Sequence, residues 1–188
     1  MLNFKQKKAS RSEYLEDGKL AFLLVPKCMS SEMRINLVKR GWQYSAEPTA
    51  KIIFSITREP LEKWISGMAQ TFHNKPEYIR EMKKDLTPFV ERAWHDPHTA
   101  KQIWYYEKEG IEIFRLDQLD ILKDWLHQKG YDITWPDYKT ATKNPEKEKL
   151  KKYFATHLTN QQRKSLKKYY AQDYSLYQKS NRLKNNLS

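Results

Sequence analysis

The chain has 188 residues, 35 Lys or Arg against 23 Asp or Glu, and a formal net charge of +12. That length fits one domain, residues 1–188, with room for a sizeable core. A single cysteine, Cys28, excludes an intramolecular disulfide, the short apolar run at Ala21 excludes a signal core or membrane span there, and no repeat, low-complexity tract or heptad run is present.

Residues Met1 to Gly18 form a polar, irregular N-terminal segment. The run Ala21-Phe22-Leu23-Leu24-Val25 then reads as a buried parallel strand over 20–25, ended by Pro26-Lys27. Ser31 to Arg40 reads as a helix closed by Gly41. A strand, a tight turn and a helix make an anion cradle, because free backbone N–H groups and the helix dipole both favour phosphate there. Lys27 adds a full positive charge, and Ser30 and Ser31 add hydroxyl donors. The Walker A pattern is absent: Pro26 stands before the lysine, and Cys28 and Met29 follow it.

A second strand, 51–56, runs into Thr57-Arg58-Glu59-Pro60 and a helix over 60–72. Pro60 sits in the first helical turn, where its missing N–H matters little. Arg58 is placed to fork onto a phosphate, and Ser66, roughly two turns further on, shares a face with the helix start. Helices are expected next over 76–94 and 99–108, a third strand over 111–115, and helices over 117–129, 146–157 and 160–180. Tyr131 to Pro145, polar with two prolines, reads as a long loop. Alternating strands and helices imply an α/β fold with a parallel sheet.

The order strand, Pro26-Lys27, two residues, Ser30-Ser31, helix resembles the 5′-phosphosulfate loop of sulfotransferases that use 3′-phosphoadenosine 5′-phosphosulfate (PAPS). The order strand, Arg58, acidic residue, Pro60 and Ser66 resembles their 3′-phosphate motif. Asp96-Pro97-His98-Thr99-Ala100-Lys101-Gln102 looks like the Asp, His and Gln segment of carbohydrate sulfotransferases. The strand 111–115, leading into a helix through Arg115-Leu116-Asp117, and the helix Tyr169 to Tyr177 are weaker likenesses. The resemblance implies a three-layer, P-loop-like sheet flanked by helices. It places the donor on Pro26, Lys27, Cys28, Met29, Ser30, Ser31, Glu32, Arg58 and Ser66, with Thr140, Thr142, Lys143 and Asn144 as a late cover over the nucleotide. It implies sulfuryl transfer to a hydroxyl acceptor, a glycan being the first choice, without a metal.

A fixed cation beside the leaving 5′-phosphate oxygen favours the transition state, which is the role of Lys27. An acceptor hydroxyl needs a general base, for which His98 is the first candidate, His73 the second and Glu32 the third. His95 and His98 lack a third ligand of convincing spacing for a metal.

Two departures from the family stand out. Met29 occupies a place usually held by a small residue, where its bulk is expected to tilt the loop or to narrow the sulfate site. Lys27 and Arg58 lie close in sequence, leaving only Trp42 to Thr49 where many members carry an acceptor-binding insert. From Lys139 onward thirteen Lys or Arg face three acidic residues, and residues 146–188 are expected to form a basic helical C-terminal part suited to anionic partners. The expectation is a soluble cytoplasmic enzyme that needs neither membrane nor nucleic acid. The alternatives are a nucleotide-binding relative without transfer activity and a basic nucleic-acid binder.

Overall fold

The computed structural model describes residues 13–106, 108–133 and 144–180. The fold is α/β. Strands β1 (Tyr14–Glu16), β2 (Leu20–Leu23), β3 (Gln43–Ser45), β4 (Ile52–Thr57) and β5 (Ile111–Arg115) form one five-stranded sheet in the order β3-β1-β2-β4-β5. The three strands expected from the sequence are present and mutually parallel, with Leu23 opposite Ser55 and Thr57 opposite Arg115.

The sheet is nevertheless mixed, not parallel throughout, because β1 pairs antiparallel with both β2 and β3. Tyr14–Glu16, expected to be irregular, is recruited by a tight turn. Gly18 takes φ 87°, and the Asp17 carboxylate accepts the N–H groups of Lys19 and Leu20, each at 2.9 Å. Strands of three residues carry too little alternation to be read from sequence.

Eight helices are present among the described residues: α1 (Ser30–Lys39), α2 (Pro60–Asn74), α3 (Ile79–Lys84), α4 (Thr87–Arg92), α5 (Leu119–Gln128), α6 (Pro145–His157), α7 (Asn160–Tyr169) and α8 (Ala171–Lys179). The single helix expected over 76–94 breaks at Asp85. That residue is extended and its carboxylate accepts the N–H of Thr87, the first residue of α4, at 2.8 Å, while Pro88 supplies no amide donor. The helix expected over 99–108 shrinks to a 3₁₀ turn, Gln102–Tyr105. Its first amides, those of Gln102 and Ile103, donate instead to the buried Asp173 carboxylate at 2.7 and 3.0 Å. The last helix splits at Tyr170, whose hydroxyl donates to the Thr99 carbonyl at 2.5 Å. At Asp85 and at Gln102–Ile103 a side-chain carboxylate takes amides that a continued helix would have used, whereas at Tyr170 the backbone bonds to Leu166 and Tyr174 persist across the break.

Both faces of β2 are buried. Leu20 and Phe22 point into a cluster with Phe54, Ile56, Met33, Leu37, Phe114, Leu122 and Leu126, filled by α1 and α5. Ala21 and Leu23 point the other way, toward Cys28, Ala100 and Tyr105. This explains the unbroken apolar run, since a strand covered on both sides has no polar alternation. A second cluster, with Trp64, Phe72, Phe154 and Leu166 at its centre, joins α2 to α4, α6 and α7.

Candidate functional site

Parallel β2, β4 and β5 end at one edge of the sheet, so Lys27, Arg58 and Arg115 all leave from that edge. The turn after β2 is unusual. Lys27 has φ 66° and Met29 has φ 63°, both left-handed without being glycine. Each conformation costs about 1–2 kcal/mol, a strain that collects at functional turns and points to a demand on backbone direction. Helix α1 follows at once, with Met29 at its N-cap and no side-chain cap on its first amides.

The two turns are stitched together by Gln102. Its amide oxygen accepts the Cys28 thiol at 3.0 Å, the Thr57 hydroxyl at 3.0 Å and the Arg58 N–H at 2.9 Å. Its amide nitrogen donates to the Arg58 carbonyl at 2.8 Å. Asp173 in turn holds the Gln102 and Ile103 amides. The three segments singled out in the sequence, 26–31, 57–66 and 96–102, therefore meet, and the aspartate of the last helix locks them.

A cavity of about 270 Å³ opens beside the first turn. Its described lining includes Pro26, Lys27, Ser30, Ser31, Arg34, Gln70, His98 and Tyr105, with Glu13 as a carboxylate among them. The Lys27 ammonium donates to Gln70 Oε1 at 3.0 Å, and Lys147, from α6, donates to the same oxygen at 2.9 Å. Neither lysine enters an ion pair among the described residues. Two ammonium groups on one neutral amide oxygen are an excess of positive charge. Burial, followed by the charges of Lys147 and Lys151, lowers the Lys27 ammonium from 10.5 to about 8. Asp96 and Glu32 act the other way on Lys27, and an oxyanion in the cavity offsets the two lysine charges further.

His98 reaches the same cavity from the segment after α4. Its Nδ1 is buried and lies 3.3 Å from Asp96 Oδ1, at an angle outside hydrogen-bond geometry. Asp96 Oδ1 also accepts the His98 backbone N–H at 2.8 Å, and Oδ2 accepts the Thr71 hydroxyl at 2.5 Å. Burial pushes the Asp96 carboxyl up, but the contacts with His98 and Thr71 outweigh it and hold it at about 2. An anionic carboxylate beside Nδ1 favours the proton on that nitrogen and leaves Nε2 as the basic atom.

The other expected site residues are placed differently. Cys28 is fully buried, and burial raises its thiol to about 12; its amide donates to the Val25 carbonyl at 3.2 Å, so neither its sulfur nor its N–H faces the cavity. The Met29 side chain packs into the core with Met33 and Leu37, so its bulk does not narrow the cavity, contrary to expectation. Glu32 is half-exposed in the first turn of α1, the place where a carboxylate suits the helix dipole, and it lies outside the described cavity lining. His73 sits further along α2, 3.4 Å from Glu146, also apart from that lining. Arg58, just past the end of β4, pairs with Glu62 at 3.5 Å, and Ser66 is buried two turns into α2; neither is in the described lining of the cavity. Thr140, Thr142 and Lys143 lie outside the described residues, and Asn144 caps α6, accepting the Glu146 and Lys147 amides.

Gln70, Arg34, Tyr105 and Lys147 are the site residues that sequence reasoning missed. Gln70 follows Ser66 by four positions and so shares its helical face, a signal present in the sequence. Lys147 was hidden among many lysines of similar context.

Among the described residues no cluster of His, Cys, Asp and Glu fit to hold a metal is present, and no helix is long and apolar enough to cross a membrane. No family model, curated protein or solved structure matches the chain.

Proposed function

We propose that the chain is a PAPS-dependent sulfotransferase acting on a hydroxyl acceptor, a carbohydrate in the first instance. The observation that carries this reading is the convergence on one cavity of Lys27, Ser30 and Ser31, from one turn, with His98, from a segment distant in sequence. In this reading the parallel strands β2, β4 and β5 are the core of a three-layer, P-loop-like sheet. Lys27 and the two serines hold the 5′-phosphosulfate, with the uncapped start of α1 as a further source of donors. Arg58 and Ser66 hold the 3′-phosphate.

The transfer forms a bond from the acceptor oxygen to sulfur and breaks the bond from sulfur to the 5′-phosphate oxygen. The acceptor proton goes to His98 Nε2, and the electron pair of the broken bond stays on the nucleotide product. Lys27, with Lys147 opposite it on Gln70, neutralises that leaving oxygen. Asp96 keeps the imidazole in the tautomer the step needs. The place of action in this reading is the cytoplasm.

A nucleotide-binding relative without transfer is the second reading. It is favoured by the span between α1 and β4, where Trp42 is buried in the core and Gln43–Ser45 are engaged in β3, leaving little chain for an acceptor-binding insert.

The test is transfer from labelled PAPS to a panel of mono- and oligosaccharides. Wild type is expected to label at least one acceptor. Lys27→Ala should slow that turnover by about 10²–10³-fold, as for loss of one oxyanion donor. His98→Ala should lower that turnover and leave nucleotide binding nearly intact. If no acceptor is labelled while the nucleotide binds, the second reading stands and the first falls.

A further inference from the structure

Three residues of α2, spaced four apart, touch the Asp96–His98 segment, and each touches it by a different means. Lys63 is 2% exposed, and its ammonium donates to the carbonyls of Ala100 at 2.6 Å and His98 at 3.3 Å. Burial lowers that ammonium, and the carboxylates of Asp173 and Asp96 oppose that shift. Gly67 makes room: a Cβ there would lie 2.5 Å from the His98 carbonyl oxygen and 2.8 Å from its carbon. Thr71 donates its hydroxyl to Asp96 Oδ2. A spacing of four keeps all three on one side of the helix. Gln70, on an adjacent part of that helix, holds Lys27.

We infer that Lys63, Gly67 and Thr71 are positioning residues, a stripe on α2 that seats the Asp96–His98 pair at a fixed height against Lys27. The inference rests on the sulfotransferase reading for its catalytic meaning. Three independent contacts hold the segment: an ammonium on two backbone carbonyls, a missing side chain where the backbone passes, and a hydroxyl on the aspartate. A buried lysine without a directly bonded carboxylate is a costly way to support a loop, and a leucine would fill the same space. Its donors are used on the two carbonyls that flank Thr99, which sets the direction in which His98 leaves the backbone. Thr71 fixes the far oxygen of Asp96, so the near oxygen stays beside His98 Nδ1. The titratable groups around Asp96 are His95 and His98 from its own segment, Lys63 from α2, Lys27 from the turn, and Tyr105 and Tyr170.

The experiment compares Thr71→Val, Thr71→Ser and Gly67→Ala with wild type by ¹⁵N spectroscopy of the histidine rings at about pH 8, above the ordinary imidazole range. Wild type and Thr71→Ser should show His98 protonated on Nδ1. Thr71→Val and Gly67→Ala should show a mixture of the two ring tautomers. Affinity for the desulfated nucleotide 3′-phosphoadenosine 5′-phosphate (PAP) should stay within about twofold in all of them. With a reacting acceptor, kcat should fall about 10- to 100-fold in Thr71→Val at unchanged KM for PAPS, and Thr71→Ser should restore it. An unchanged His98 tautomer in Thr71→Val overturns the inference, as does a parallel loss of PAP affinity. If the tautomer shifts as expected but no protein transfers sulfate, the positioning stripe stands and the sulfotransferase reading fails. Should Gly67→Ala not fold, the two Thr71 variants decide alone.

Discussion

Replacing Lys27 with Met removes a charge from the cavity and keeps most of the side-chain stem. The native state carries a penalty for that charge. Burial and the neighbouring Lys147 and Lys151 lower the ammonium from 10.5 to about 8. At about 1.4 kcal/mol per pKa unit this bounds the penalty at roughly 3 kcal/mol. The group retains access to water through the cavity mouth, and screening reduces the figure to roughly 1–2 kcal/mol. The sign follows from the direction of the shift. A folded value below the unfolded one makes the protonated lysine destabilising. The effect is full below about pH 8, fades as pH rises toward 10.5 and the unfolded chain gives up its own proton, and vanishes above that. Gln70 keeps Lys147 as a partner, so its amide oxygen is not orphaned by the change. Lys27→Met should therefore gain roughly 1–2 kcal/mol at neutral pH and lose that gain near the alkaline limit. Urea unfolding followed by tryptophan fluorescence at both ends of this range measures it. A variant less stable than wild type at neutral pH would refute the reasoning and make Lys27 a stabilising residue.

Gln102→Leu leaves the Arg58 backbone and the Thr57 hydroxyl without their partner; a loss of roughly 2–4 kcal/mol, read from urea midpoints, is expected. Cys28 should resist thiol reagents in the native protein and react only with unfolding, since its sulfur is buried and its thiol sits at about 12; rapid native labelling would contradict this. Asp96, held at about 2 against 3.8, should contribute roughly 1 kcal/mol once screening by water is allowed for. A lowered carboxyl stabilises above its unfolded value, so this contribution is present above about pH 4 and lost as pH falls toward 2. Asp96→Asn should flatten the acid limb of the stability curve over that window.

Much of the site edge was legible because it is local. The apolar runs at Ala21 to Val25 and Ile52 to Ile56 contain most of β2, which ends at Leu23, and nearly all of β4, both covered by the core, and Pro26 and Pro60 mark where the chain turns after each. The identity of the helix starts followed from the same markers. What escaped was non-local. The shrinking of the helix over 99–108 depends on Asp173, seventy-one positions from Gln102, and no periodicity contains that partner. The same holds for β1, three residues long and held by a turn, and for Gln70, whose importance exists only where Lys27 and Lys147 converge on it. Met29 misled for a further reason. Its left-handed backbone turns the side chain into the core, and the sequence carries no sign of positive φ at a residue other than Gly, Asn or Asp.

The central claim is that this sheet edge holds a nucleotide with phosphates at both ends. Calorimetric titration of the full chain with PAP and with adenosine 5′-phosphate tests it most directly. PAP should bind far more tightly, and Arg58→Ala should remove most of that preference, a loss of roughly 1.5–3 kcal/mol per charged hydrogen bond. Equal affinity of the wild type for the two nucleotides would contradict the claim.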